Sequence, residues 1–295
     1  MTTPEIQSFL AICRYKTVTN AAEHLFISQS SLSTRLCTLE RELGGTLFYR
    51  RKGSREMILT STGKAFFDLA VQYETVVARM EQLCKKQPLV LRVSSLNSLG
   101  TYLLPTVYEA FLQEHPEAEL EIQDKELAPA CKSIRCGLTD LAFATGMGCE
   151  PGTEGFPAFS EPMVLICSKS ASYQSTVNLK NLPFRNEVYV PWCTSFVQWH
   201  QTVFGLRAQP QISLSIMEQL RLFMKRETSW AIVPSSVADG LEHTVEIRRC
   251  ETTVPLPNRD VFYIVAEKTD NPAVGHFLSC LRAVLEKLPQ IEIKL

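Results

Sequence analysis

Residues 17–60 read TVTNAAEHLFISQSSLSTRLCTLERELGGTLFYRRKGSREMILT, and this stretch constrains the fold most tightly. Thr19 and Ser28 stand where an N-cap opens a helix, and the apolar turn Leu25-Phe26-Ile27 separates the two helices. In the second helix Leu32, Leu36, Leu39 and Leu43 recur at helical spacing, so one stripe faces inward. The opposite face carries Ser30, Thr34 and Cys37, flanked by Gln29, Ser31, Ser33 and Arg35. Short side chains with hydrogen-bonding tips suit a helix lying in a major groove, so Gln29, Ser30, Ser33, Thr34 and Arg35 are the expected base- and backbone-contacting residues. A basic hairpin follows. Arg50, Arg51, Lys52 and Arg55 surround the turn signal Gly53-Ser54, between short apolar strands at 47–49 and 57–59. Cations so dense beside a recognition helix can track phosphates or enter a minor groove, although the same run alone would read as a solvated loop. Glu40, Arg41 and Glu42 read as a solvated face, and His24 as packed or exposed without a role.

Charge is distributed to match. Residues 1–87 hold 12 Lys and Arg against 8 Asp and Glu, whereas residues 88–295 hold 18 against 23. A basic module on an acidic body fits a nucleic-acid binder with a separate sensing part. No run reaches the roughly 18–20 apolar residues of a membrane span, and no charged-then-apolar leader opens the chain. A cytoplasmic location without membrane contact is the expectation.

Residues 60–86 read as one long helix. Phe66, Ala70, Tyr73, Val77, Met80 and Cys84 alternate at four and three, a heptad seam that predicts a two-helix dimer interface. Packing on the chain's own core is the alternative. A dimer would read two half-sites of a roughly palindromic DNA site. Gln87-Pro88 marks a hinge.

From Leu89 short β-rich runs alternate with helices. Strands are expected at 89–94, 118–124, 141–145, 163–168, 188–191, 211–214, 230–234 and 261–266. Helices are expected at 100–114, 127–137, 196–204, 217–225 and 272–288. This alternation argues for an α/β domain with a mostly parallel sheet.

The chain resembles the LysR-type transcriptional regulators along its whole length, most specifically from Phe9 to Gly63. Ala21-Ala22-Glu23, Ser28-Gln29, Leu32-Ser33, Leu39-Glu40, Glu42-Leu43-Gly44, Leu47-Phe48-Tyr49-Arg50 and Leu59-Thr60 with Gly63 carry the likeness. Ser30 stands where the family usually has proline and Thr34 where arginine is common, which leaves the base read at that step open. The resemblance implies a winged helix-turn-helix at 1–59, a linker and dimerisation helix with hinge at 60–87, and a sensing domain at 88–295. That domain resembles the type-2 periplasmic-binding-protein fold, with lobe one at 88–161 and 266–295 and lobe two at 162–265. Arg92-Val93, Leu103-Leu104-Pro105, Asp140-Leu141-Ala142 and Ile232-Val233-Pro234 match there. It further implies promoter DNA and RNA polymerase as partners, a homodimer or homotetramer, and control by a small molecule.

A cleft of this kind binds where strands end and helix N-termini point inward. By that rule and by the resemblance, the lining candidates are Ser98, Leu127 and Thr145 from one lobe and Cys193, Thr194, Ser195 and Trp230 from the other. Hydroxyls and backbone amides without a fixed lysine suit a small organic anion. Glu227-Thr228-Ser229-Trp230 replaces the glycines usual before the Ile-Val-Pro strand and would narrow the cleft. Ten cysteines form no CxxC pair, and five scattered histidines offer no ligand spacing, so neither a metal nor a cofactor is expected. Cys13, Cys84, Cys167 and Cys280 read as inert core thiols. Cys131 and Cys136 are poorly spaced for a disulfide. Cys193, at a helix start, is the candidate for a redox-responsive alternative. An enzyme using the cleft is the competing class, but no nucleophile–base–orienter set supports it.

Overall fold

A computed structural model describes residues 1–49, 56–82, 89–147, 150–205 and 210–295, the side chains at 79, 81 and 82 excepted. The basic hairpin tip with Arg50, Arg51, Lys52 and Arg55, the hinge, Cys84 and Cys149 lie outside the described residues. The chain divides into Met1–Lys86 and Gln87–Leu295.

In the first unit, α1 (Thr3–Tyr15), α2 (Val18–His24) and α3 (Gln29–Leu43) precede β1 (Phe48–Tyr49), β2 (Ile58–Leu59) and α4 (Ser61–Gln82). Ile6, Phe9 and Ile12 of α1 meet Ala21, Ala22, Leu32, Leu36 and Leu39 in a closed core. Phe9 adds ring contacts to Phe48 and Phe66, at centroid distances of 5.3 and 5.0 Å. The cap of α2 is Thr17, whose hydroxyl accepts the Asn20 N–H at 3.2 Å, so Thr19 lies inside the helix. Ser28 caps α3 as its position predicts, accepting from Ser31 N–H at 3.1 Å. The inward stripe ends sooner than expected, because Leu43 is 41% exposed beside the left-handed C-cap Gly44. Glu40 is not a solvated residue. Its carboxylate accepts Leu47 N–H at 2.7 Å and Phe48 N–H at 3.4 Å, tying the start of the hairpin to α3.

The heptad seam divides on α4. Phe66, Ala70 and Tyr73 pack into the unit's own core, and Tyr73 Oη lies 2.6 Å from Thr3 Oγ1. An α-helix of 3.6 residues per turn drifts across a 3.5 repeat, so its first turns face α1. Leu69, Val76 and Met80 stay exposed, with Val77 half-buried.

The second unit is a mixed α/β fold in two lobes. β3 (Val90–Ser95), α5 (Asn97–Tyr102), α6 (Leu104–Glu114), β4 (Glu119–Asp124), α7 (Leu127–Arg135) and β5 (Leu141–Ala144) begin the first. The long strand β6 (Thr153–Ser168) crosses into the second. There β7 (Thr176–Val177), β8 (Val188–Tyr189), α8 (Thr194–Phe204), β9 (Ile212–Ser213), α9 (Leu220–Phe223), β10 (Trp230–Pro234), α10 (Ser235–Glu242) and β11 (Ile247–Thr252) follow. β12 (Asn258–Ala266) returns to lobe one, completed by α11 (Pro272–Leu285) and β13 (Glu292–Ile293). The main sheet runs β4-β3-β5-β12-β6-β11-β7, with β10 and β13 also on β6. It is not mostly parallel. β3 pairs β4 and β5 in parallel, but β12, β10, β11 and β13 meet their partners antiparallel across the crossover.

Each lobe has its own apolar core. Phe143, Phe159, Val261, Val265 and Phe277 belong to one, and Met163, Leu165, Phe196, Trp230 and Ile232 to the other. By core membership the chain changes lobe between Phe159 and Met163 and returns before Val261. The helix expected at 100–114 breaks at Leu103 into α5 and α6, with Pro105 in the first turn of the latter. Among the described residues no helix is long and apolar enough to cross a membrane.

Candidate functional site

On the first unit, the outer face of α3 is the candidate nucleic-acid surface. Gln29, Ser30, Ser31, Thr34 and Cys37 are exposed, while Ser33 and Arg35 are half-buried at its edges. The hydroxyls are pre-arranged locally. Ser28 Oγ lies 2.9 Å from Ser30 Oγ and donates to Ser31 Oγ at 2.8 Å, and Thr34 Oγ1 donates to Ser30 O at 2.9 Å. A face of short side chains lets a helix approach base edges closely. At the turn before it, Phe26 is 95% exposed with φ of 54°, a left-handed conformation that costs a non-glycine residue roughly 1–2 kcal/mol. The sequence pattern had placed Phe26 only as an apolar turn residue. His24 packs at a tilt against Tyr15, their ring centroids 4.4 Å apart.

In the second unit a cleft of about 410 Å³ opens between the lobes. Lobe one contributes Leu96, Asn97, Ser98, Glu126 and Thr145; lobe two contributes Val190, Pro191, Trp192, Cys193, Thr194, Val197, Gln198, Ser215 and Met217. Three helices begin at its wall: α5 after Leu96, α7 after Glu126 and α8 after Cys193. Their unpaired N–H groups and positive dipole ends favour a negatively charged or acceptor-rich guest. Among the described residues that line the cleft, Glu126 is the one carboxylate and there is no lysine or arginine.

Of the expected lining residues, Ser98, Thr145, Cys193 and Thr194 are brought together there, and three are not. Leu127 starts α7 but turns its side chain onto the Ala130 and Cys131 cluster. Ser195 lies one residue into α8, exposed, with its Oγ 3.2 Å from Cys193 Sγ. Trp230 is fully buried in lobe two, where its Nε1 donates to Pro183 O at 3.0 Å. All five residues of β10 are buried, so the indole fills the core and does not narrow the cleft; Glu227 is exposed outside it. Trp192, Gln198 and Ser215 were missed, since nothing in their spacing marks them.

Behind Ser98 lies a buried ion pair on the two crossover strands. Arg259 of β12 and Glu161 of β6 face each other in register and are both 0% exposed. Arg259 Nε and Nη2 donate to Glu161 Oε1 at 3.0 and 2.5 Å, and Nη1 donates to Ser98 Oγ at 2.8 Å. Glu161 Oε2 accepts the Ser236 N–H at 3.0 Å, at the start of α10. The guanidinium also sits 6.0 Å from the Trp192 ring centre, and Trp192 Nε1 donates to Ile232 O at 2.7 Å. One polar chain thus links the lobe-one wall, both crossovers and a lobe-two helix. Among the described residues no cluster of His, Cys, Asp or Glu is arranged to hold a metal ion.

Residues 4–64 match the family model for the bacterial regulatory helix-turn-helix protein, lysR family, and residues 88–286 match that for the LysR substrate binding domain. The chain is 31% identical over 179 residues to a probable RuBisCO transcriptional regulator of Thalassiosira pseudonana, covering 57% of each protein. It is 24% identical over 252 residues to the HTH-type transcriptional regulator YofA of Bacillus subtilis, covering 84% of this chain and 86% of that one. The first curated relatives are matched over only 48–57% of their own length. Among solved structures, full-length CbnR complexed with its target DNA is similar at a TM-score of 0.71 and 20% identity, covering 96% of this chain and 100% of that one. A full-length OxyR variant from Pseudomonas aeruginosa gives 0.68 at 21%, covering 96% and 95%. At these identities the structural likeness concerns the fold alone.

Proposed function

This chain belongs to the LysR family of DNA-binding transcriptional regulators, and from that premise we propose that a small organic effector in the interlobe cleft controls its grip on promoter DNA. The observation that carries the effector half is the convergence of three helix starts on one cleft floored by Ser98 and Thr145. The guest is a small polar molecule with one carboxylate or similar anionic group. Its negative end lies against the N–H groups of α5 and α8, and Glu126 opposes a second negative charge. Closure of the lobes on it shifts the equilibrium only by its difference in affinity for the two states.

The DNA-bound species is a dimer, or a pair of dimers, reading a roughly palindromic site. Leu69, Val76 and Met80 support pairing through α4, since they stay exposed after Phe66 and Ala70 are consumed by the core. Gln29, Ser30, Ser33, Thr34 and Arg35 read the site, and Arg50, Arg51, Lys52 and Arg55 hold its phosphates. Contact with RNA polymerase in the cytoplasm completes the regulatory cycle.

Thermal unfolding of the reduced protein against a panel of small carboxylates, amino acids and neutral analogues tests the effector half. A ligand at 100 times its dissociation constant adds about 2.7 kcal/mol, and Thr194→Ala or Ser98→Ala abolishes the shift. A flat panel contradicts small-molecule control. For the DNA half, Gln29→Ala relaxes preference by about 1–3 kcal/mol at one base step, read by binding-site selection. Arg51→Ala weakens all sequences alike and lowers the salt slope by about 1.

A further inference from the structure

Two thiols that the sequence places 83 residues apart touch inside lobe two: Cys167 Sγ and Cys250 Sγ are 3.2 Å apart. Cys167 lies on β6 and Cys250 on β11, neighbours in one antiparallel pair. Their register is diagonal, because Cys250 faces Leu165 while Cys167 faces Arg248. Both side chains therefore stand on one face of the sheet, two positions offset. Cys250 is not sealed: it retains 8% exposure, against none for Cys167. Arg248 Nη1 donates to Cys250 Sγ at 3.2 Å, and its other nitrogen holds the backbone carbonyls of Ala171 and Tyr173. That guanidinium stands within hydrogen-bond distance of the sulfur and balances negative charge that develops on it as it reacts. Burial, reinforced by Cys250, pushes the Cys167 thiol up to about 12, so it carries its proton into the second step.

We propose that Cys167 and Cys250 are a redox-active pair, closed to an intramolecular disulfide by hydroperoxide and reopened by a thiol reductant. The Cys250 sulfur attacks one peroxide oxygen and the O–O bond breaks. Cys250 becomes a sulfenic acid, and its proton leaves with the departing hydroxide as water. Cys167 then attacks the sulfenic sulfur, and its own proton leaves with that hydroxyl as a second water. Two thiols and one hydrogen peroxide give one disulfide and two waters, the sulfurs losing two electrons to the O–O bond.

The diagonal register makes the bond a labile one. Diagonal residues in an antiparallel pair stand about 7–8 Å apart at Cα, beyond the roughly 6.8 Å upper range of disulfides. Closing the bond must shear β11 along β6. Strained disulfides have more oxidising potentials and are the reducible, regulatory kind. β6 is the strand that crosses between the lobes, so the shear acts on the element that joins them. Cys167, expected to be an inert core thiol, is thus half of the pair, while Cys193 at the cleft has the Ser195 hydroxyl within reach.

The test is peptide mapping of the full chain. Reduced protein is exposed to one equivalent of hydrogen peroxide, alkylated, and digested without reductant. The expected product is a Cys167–Cys250 linked peptide that dithiothreitol removes. In Cys167→Ala, a dimedone adduct forms on Cys250 instead. Arg248→Gln slows formation by about tenfold, with far-ultraviolet dichroism confirming that each variant is folded. Recovery of both thiols alkylated after the peroxide is consumed overturns the proposal, as does Cys250 linked to any other cysteine.

Discussion

Replacing Glu161 by leucine while Arg259 remains should destabilise the C-terminal unit by about 3–5 kcal/mol, since one member of a buried pair is left without a counter-ion. In a unit of this size that lowers the melting temperature by roughly 8–15 °C. Arg259 is fully buried, away from bulk solvent, and directs three N–H groups at Glu161 and Ser98. The double variant Glu161→Leu with Arg259→Met should recover much of the loss, because no charge is then stranded. Recovery should be incomplete, since the Ser236 N–H at the start of α10 loses its acceptor. Calorimetry of the four proteins closes the cycle. A single substitution that lowers stability by less than 1 kcal/mol would mean the pair is solvated and does not join the lobes.

Gly63→Ala should be nearly as damaging, and in the other unit. A Cβ there would lie 2.1 Å from Leu47 O and 3.0 Å from Leu59 Cδ2. The first obstacle is backbone and cannot swing away. Leu47 O already accepts the Thr60 N–H at 2.9 Å, while Thr60 Oγ1 donates to Thr46 O and accepts from Gly63 N–H. The methyl must push the hairpin off the first turn of α4, at about 3 kcal/mol. Gly45→Ala is the control, with nothing within 4 Å of its Cβ and an expected change under about 0.5 kcal/mol. Chemical denaturation followed at both units reads the difference, and equal effects at the two glycines would refute the close approach.

Local signals made the helix-turn-helix legible. The Leu32-Leu36-Leu39 stripe and the Ser28 cap are contained within a few residues of sequence, and the structure places them accordingly. Errors arose where a distant partner decides. Glu40 looks solvated until Leu47 and Phe48 fold back to it, and Phe66 and Ala70 look like a dimer seam until α1 covers them. Residues 153–162 of β6 were unreadable as strand because Gly155, Pro157 and Pro162 argue against one. Pro157 is tolerated beside the register shift at Val261 and Phe262, where the ladder is already interrupted. Expecting the cleft wall at helix starts pointed to Ser98, Cys193 and Thr194, which do line the cavity. It failed for Trp230, whose burial depends on strand order. The Cys167–Cys250 contact depends on β11 lying beside β6, which no local pattern announces.

Selection of random duplex DNA by the full-length protein, followed by a salt titration on the enriched sequence, tests the central claim most directly. The account predicts a two-part consensus whose halves lie about one helical turn or a multiple apart. Binding should weaken linearly in log affinity against log salt, by about 0.9 per phosphate contacted, and Gln29→Ala should blur one position in each half. Retention of no duplex above background at low salt, or retention of all sequences alike, would contradict it.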